Sequence, residues 1–368
     1  MKTALVIGGG FTGFTWSHLL SQRGWIVKLL EKESFIGGGV KTLWYGGHPY
    51  TLGPRPVYTK NEWVYNFIDK LAPLRLLNLF ASSYVEKDGQ FYNFPPHKDD
   101  IAKMPDAQKI REEMDILRDN PAPNAPRNFE ESWQQGVGNS LYEKLVKDYT
   151  SKVWGVPTNT VLNRSVHVPK LKEGTRQWFH DYMIAYPKAV NGWDDYFTHI
   201  LESADIEVIL KASISAYDLE KKSVYINGEK ISADLIVSSI SLDELCENAY
   251  GALPYMGREI MPLVLPVESV LPGEDAYFWY YTGSEPFCRI VEYKKLTGYS
   301  SPHTLLGIEF PKTGFKHYPY LIDAEIERAK RYLDSLPDGV ISVGRLGKYQ
   351  YTDMCSIVED ALNRIDDF

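Results

Sequence analysis

Cysteine is scarce: only Cys246, Cys288 and Cys355 occur, far apart and in no CxxC spacing. That pattern offers neither a zinc cluster nor a disulfide framework, and it assigns the three thiols structural places. No apolar run approaches the roughly 18 residues needed to cross a bilayer. The opening MKTALVIGGG stops at glycines and lacks the longer apolar segment and cleavage site of a secretory leader, so the expectation is a cytoplasmic protein without membrane contact. Positive charge is in deficit too, 40 basic against 48 acidic residues for a formal charge of −8. A broad nucleic-acid surface is thereby excluded, and any anionic ligand must be held by a local cluster. There is no internal repeat and no low-complexity segment.

Aromatics, by contrast, are plentiful, with 25 Tyr, 15 Phe and 9 Trp. They fit a site that grips flat or sugar-like ligands, and equally a large core. A chain of 368 residues exceeds one simple core and implies about two or three domains.

Residues 3–8, TALVIG, form a continuous apolar run ended by glycines, as in a strand buried on both faces of a parallel sheet. From Phe14 to Gln22 the spacing predicts a helix with Trp16, Leu19 and Leu20 on one side, stopped at Arg23 and Gly24. WIVKLLE then reads as a second strand ending at Glu31, which completes a βαβ unit. Between about 60 and 205 the pattern is mostly helical, interrupted by two irregular stretches. VYINGEK carries an Asn-Gly hairpin turn. ADLIVSSI and GVISVGR read as buried strands, YFWYYTG, CRIVEYKK and LLGIEF as an antiparallel sheet, and AEIERAKRYLDSL as a helix. The expected fold class is α/β: a Rossmann-like dinucleotide domain from 1–60, 206–245 and 338–368, an inserted, mainly helical domain over 61–180, and an antiparallel sheet domain from 181–205 and 246–337.

Gly8, Gly10 and Gly13, with Phe11 and Thr12 between them, match GxGxxG, whose glycines permit a tight turn, close approach to a pyrophosphate and helix-to-strand packing. The motif follows a buried strand, opens a helix and precedes Glu31, where a carboxylate can bind a ribose hydroxyl. The double glycine after that acid, in FIGGG, resembles FAD-binding glutathione-reductase-like and amine-oxidase-like enzymes. Near the other end, apolar positions from Met354 to Ile365 follow helical spacing with Thr352 or Asp353 as the N-cap. A helix start carries free N–H groups and partial positive charge, which suits an electron-rich ring.

Taken in order, GGGFTG, EKESFIGG, LGP, YTSKVWG, EPFCRI and VGRLGKYQYTDM resemble the UDP-galactopyranose mutases, and the resemblance spans nearly the whole chain. It implies an FAD enzyme that interconverts pyranose and furanose forms of a nucleotide-diphosphate sugar through a reduced-flavin N5–sugar adduct. It also implies reduction by NAD(P)H or another donor, and a homodimer serving polysaccharide biosynthesis. Arg289, Arg345 and Tyr351 match the family's pyrophosphate-binding positions, and Tyr149 and Trp154 match positions near the nucleotide. Lys32, Gly38, Gly39, Gly53, Pro54, Gly344, Asp353 and Met354 are implied in cofactor contact. The family's mobile loop corresponds to 163–178, with Lys170, Lys172 and Arg176 as candidates to reach the phosphates and Trp178 where tyrosine is usual.

Several positions depart from the family pattern. GPRPVYT places Arg55 and Tyr58 where two histidines are usual, and Leu145, Val146 and Val153 replace residues around the base. Phe310 falls where a phosphate-binding tyrosine is expected, Trp279 at an asparagine, and Cys355 at a second aspartate. Losing a partner for a buried polar group costs roughly 1–3 kcal/mol, so the departures imply a substrate other than plain UDP-galactose. Two alternatives stay open: an amine-oxidase-like oxidoreductase, which needs an apolar cage and no diphosphate clamp, and a non-catalytic FAD-binding relative.

Overall fold

The strand Thr3–Ile7 lies at the centre of a parallel sheet, between Ile26–Leu30 and Leu235–Ser238. Ile206–Ile209 joins beyond Ile26–Leu30, and Val340–Ser342 beyond Leu235–Ser238, giving five strands. This arrangement is that of a computed structural model, which describes residues 1–78, 80–94, 96–163, 182–273 and 276–368. The apolar runs are continuous because both faces are covered. Ala4, Val6, Val27, Leu29, Leu235 and Val237 point into the larger core under the helix Phe11–Gln22. Leu5, Ile7, Leu30 and Ile236 point the other way, onto Val224 and Ile226 of a three-stranded antiparallel meander. The meander's expected turn is present, with Asn227 and Gly228 at φ +51° and +82°, the left-handed pair a two-residue hairpin needs.

The helix after the first strand begins at Phe11, earlier than its apolar spacing predicts, and apart from half-buried Thr12 it is buried from Phe11 to Leu20 rather than along one side. It is enclosed on all sides, by the sheet, by the helix Asp194–Ser203 and by the last helix, Met354–Arg364. The two chain ends meet here: Lys2 Nζ donates to the Phe368 carbonyl at 3.2 Å, and the Phe368 ring stands edge-on to Trp16.

A second sheet of seven strands runs in the order Tyr318–Pro319, Tyr255–Leu265, Thr304–Lys312, Arg289–Glu292, Ala276–Tyr281, Phe80–Val85, Gln90–Asn93. Its last two strands fall inside the stretch expected to be mainly helical. FASSYV and QFYN alternate in period two around the tight turn after Asp88, so pairing with Ala276–Tyr281 prevails locally. The helices from Ala107 to Trp154 do cluster together, around Ile110, Trp133, Leu141 and Trp154. No helix among the described residues is long and apolar enough to cross a membrane.

Candidate active site

The glycine-rich turn, the double-glycine segment and the loop before the last helix come together at the carboxyl end of the parallel sheet. A Cβ on Gly13 would stand 1.9 Å from the Gly8 carbonyl oxygen, so the turn closes only without a side chain. Gly344, at φ +75°, stands against Thr12, whose Oγ1 would lie 2.6 Å from an added Cβ. The Gly37 N–H donates to the Gly9 carbonyl at 2.8 Å. Glu31 is buried at the strand end and accepts from the Gly9 and Glu33 N–H groups at 2.7 and 2.8 Å. Gly10, Gly38 and Gly39 leave backbone open to solvent along this cradle, and Lys32 lies exposed at its edge. Asp353 caps the last helix, accepting from the Ser356 N–H at 2.8 Å, so Met354 begins it as expected. A bare backbone channel ending at two helix starts, with a carboxylate at the strand end, fits an elongated dinucleotide such as FAD.

Above the cradle stands a cluster of arginines. Arg289 donates through Nε and Nη2 to Glu309 Oε2 at 2.9 and 2.6 Å, and Arg258 Nε lies 3.4 Å from Glu309 Oε1. Strand register explains the meeting, since Tyr280 opposes Arg289 and Arg289 opposes Glu309, which puts all three on one sheet face. Burial alone would raise the Glu309 pKa, but Arg289 and Arg258 hold it below the ordinary carboxylate value. Arg345 donates to the Thr352 carbonyl through Nε at 2.8 Å and Nη2 at 2.5 Å, and its guanidinium lies 4.6 Å from the Tyr318 ring centre and 5.5 Å from that of Tyr351. Arg55, at φ +50°, joins the two regions: Nε donates to the Gly39 carbonyl at 3.2 Å and Nη1 to Tyr318 Oη at 3.4 Å. Buried Gly53, followed by Pro54, sits between Arg289 and Arg55, 3.5 and 3.8 Å from an added Cβ.

Aromatic rings wall the cluster. Trp154 meets Tyr318 and Tyr351 edge-on, and Tyr149 meets Tyr280. Tyr351 is 57% exposed, at the mouth of the cleft. Tyr58 stacks on Tyr182 at 4.2 Å, and burial, then Tyr182 and Asp353, push its pKa upward and keep it neutral. Its N–H donates to Cys355 Sγ at 3.4 Å, which gives that departure from the family pattern a structural place. The lysine of YTSKVWG has a framework role: Lys152 Nζ donates to the carbonyls of Tyr281, Gly283 and Glu285 and ties this helix to the sheet.

Thus the structure brings together Arg289, Arg345, Tyr351, Tyr149, Trp154, Arg55 and Tyr58. Phe310 and Trp279 stand apart. Each follows or precedes a site residue by one position, Glu309 and Tyr280, so strand alternation turns both to the opposite face, with Trp279 against Phe91 and Phe310 near Phe287. A tyrosine hydroxyl does stand at the arginine cluster, that of Tyr318, on the short strand beyond Lys312. Leu145, Val146 and Val153 are core residues of the helical cluster. Trp178, Lys170, Lys172 and Arg176 lie outside the described residues. Arg258, Tyr280, Glu309 and Tyr318 escaped the sequence reading. Only period-two alternation, which sets Glu309 opposite Arg289, signalled any of them.

A family model described as UDP-galactopyranose mutase matches residues 144–351, and one described as an NAD(P)-binding Rossmann-like domain matches residues 6–71. A probable UDP-galactopyranose mutase of Klebsiella pneumoniae is 24% identical, with 100% of this chain and 94% of that protein aligned. A dTDP-fucopyranose mutase of Escherichia coli is also 24% identical, over 98% of this chain and 97% of its own. Among solved structures, a reduced UDP-galactopyranose mutase matches with a TM-score of 0.84 at 17% identity, covering 100% of this chain and 93% of that one. A putative protoporphyrinogen oxidase from Exiguobacterium matches at 0.74 and 15% identity, covering 100% and 98%. At such identities the two structures establish the fold.

Proposed function

The chain belongs to the UDP-galactopyranose mutase family, and from that premise we propose that it binds FAD and interconverts the pyranose and furanose forms of a nucleotide-diphosphate sugar other than plain UDP-galactose. The observation that carries this reading is a set of four guanidinium groups at the mouth of a glycine-lined cradle, Arg258 and Arg289 paired with Glu309, and Arg55 and Arg345 against Tyr318.

Gly8, Gly10, Gly13, Gly38, Gly39 and Gly344 would line the cofactor's path, with Glu31 at its ribose and the start of the last helix at its ring. Reduced FAD supplies, when bound, an electron-rich nitrogen able to displace a group from a sugar's anomeric carbon. The chain's residues act on the group displaced. As the bond from C1 to the diphosphate breaks, charge builds on phosphate oxygens, and fixed donors aimed there stabilise that charge more than the ground state. Arg289 and Arg345 are held by Glu309 and the Thr352 carbonyl before any ligand arrives, so little reorganisation is needed. Tyr351 closes the mouth from the exposed side, and Trp154 and Tyr149 position the nucleotide.

The same charge disfavours the oxidase alternative, which needs an apolar cage. Substrate choice rests on Arg55 and Tyr58, polar groups placed between cradle and clamp where the family usually has histidines. A cytoplasmic homodimer reduced by NAD(P)H or another donor completes the reading.

The test is to purify the protein, record bound FAD by absorbance, reduce it, and incubate it with UDP-galactose, dTDP-fucose and uronic or acetamido nucleotide sugars. The expected result is a furanose product from at least one of them, with no net oxidation of the sugar. Absence of bound FAD, or turnover only with stoichiometric substrate oxidation, would overturn the proposal.

A further inference from the structure

The Tyr318 hydroxyl is addressed by an arginine, and its surroundings are unusual for a phenol. Its oxygen accepts from Arg55 Nη1 at 3.4 Å, while the guanidinium groups of Arg345 and Arg258 lie 4.6 and 4.8 Å from its ring centre. These cations come from three parts of the chain: the loop after Gly53, the strand Tyr255–Leu265 and the turn after Val343. The ring is only 8% exposed. The groups that face or adjoin it are Arg55, Arg258, Arg345, the carboxylate of Glu309, the phenol of Tyr351 and its neighbour His317. His317 Nδ1 accepts from the Arg258 N–H at 3.1 Å. Burial and then Arg55, Arg258 and Arg345 lower its pKa to about 4, so it stays neutral and offers no proton near pH 7.

We propose that Tyr318 stands as a phenolate counter-ion among the arginines of the ligand-free site, and that a diphosphate displaces this role, returning a proton to the hydroxyl, which then donates to a phosphate oxygen. The inference rests on the diphosphate-binding reading above and assigns a proton to it. Three guanidinium groups around the phenol, with Glu309 already paired to Arg289 and Arg258, leave a surplus of positive charge in a confined space, and ionising the buried phenol relieves it. A bound diphosphate relieves it instead, and an oxyanion beside the phosphates would then be repelled. Burial opposes ionisation of Tyr318, but Arg55 and Arg345 overcome it and bring the hydroxyl down to about 7, while the neighbouring Tyr351 moves upward. The balance is one proton taken from solvent per diphosphate bound, with no bond to carbon made or broken.

The sign follows from linkage. Below the free-site pKa the phenol already carries its proton and affinity is independent of pH. Above it, each unit of pH costs up to tenfold in affinity, because the proton must first be recovered.

The test uses FAD-loaded protein with UDP-galactose and dTDP-glucose, whose diphosphates exchange no proton near neutrality. Titration calorimetry in buffers of different ionisation enthalpy reads the protons taken up. At pH 8 the expected result is uptake approaching one proton per nucleotide sugar, and a roughly tenfold weaker dissociation constant at pH 8.5 than at 7.5. Tyr318→Phe, which keeps the ring and its packing, should bind with no uptake and a flat profile. Tyr351→Phe should retain both uptake and slope. Nucleotide sugar binding without proton uptake in the parent protein, or an unchanged slope in Tyr318→Phe, would overturn the inference while leaving the site reading intact. Failure of both nucleotide sugars, and of every other member of the panel above, to bind would overturn the site reading and the inference together.

Discussion

The glycine cradle and the arginine cluster meet at Arg55, yet they are built on opposite principles. The cradle works by leaving side chains out: three stretches approach so closely that Gly13 and Gly344 have no room for a Cβ. The cluster works by putting charge in, and it must then restrain that charge with Glu309 and with backbone carbonyls such as that of Thr352. One region is intolerant of added volume and indifferent to charge. The other is tolerant of shape and intolerant of a lost ion. On the proposed function, binding a cofactor and releasing an anion would make different demands on neighbouring parts of one cleft.

Substitutions can break this contrast, beginning with the largest effect. Gly13→Ala places a carbon against the Gly8 carbonyl oxygen and should distort the turn, so the purified protein is expected to lose FAD and to melt at least 10 °C lower, as read by absorbance and calorimetry. Gly10→Ala should separate the two consequences. An added carbon there meets nothing nearer than Gly38 Cα at 3.9 Å, so the melting temperature is expected to stay within about 2 °C while FAD content falls. Glu309→Gln attacks the cluster through its counter-charge. Removing one partner of a buried ion pair costs about 3–5 kcal/mol, to be measured by chemical denaturation. Glu309 has a lowered pKa in the folded protein, so its contribution is complete above its ordinary value of 4.5 and fades as pH falls through the lower folded value. The parent protein should therefore lose its advantage over Glu309→Gln on acidification.

Arg289→Lys keeps the charge but removes the fork that engages Glu309. A loss of roughly 10²-fold in kcat/KM is expected, comparable with removing one oriented donor to a developing oxyanion, with FAD content unchanged. The smallest effect is predicted for Phe310→Tyr. Restoring a hydroxyl at that position should alter kcat/KM by less than twofold, because it points to the far face of the sheet. A large gain in activity would mean that strand register, not sequence matching, has been misjudged.

The two regions also differ in how far they can be seen in the sequence. The cradle is written in contiguous words, GGGFTG and EKESFIGG, because close backbone approach is a local requirement that only glycine meets. Arg289, Arg345 and Tyr351 were legible through ordered blocks. Tyr318 and Arg258 were not, since neither sits in a block with spacing of its own and each acquires meaning only when the seven-stranded sheet sets its neighbours. Phe310 shows the reverse failure: matching by position crossed from one face of a strand to the other, and one residue of offset was enough. The helix Phe11–Gln22 looked one-sided for a related reason, because its polar-looking residues Thr15, Ser17 and His18 are buried against elements far away in the chain. The strands Phe80–Val85 and Gln90–Asn93 were hidden among helices, their partner lying nearly two hundred residues downstream.

The parallel sheet closes only when Val340–Ser342 adds to Leu235–Ser238, and the turn carrying Gly344 and Arg345 follows at once. At about 5–20 residues per second of synthesis, roughly 20–70 s separate the appearance of the glycine turn from that of its roof. A nascent chain therefore presents an open half-pocket for most of its time on the ribosome, and any nucleotide that settles there early does so without the turn of Gly344 and Arg345 that completes it.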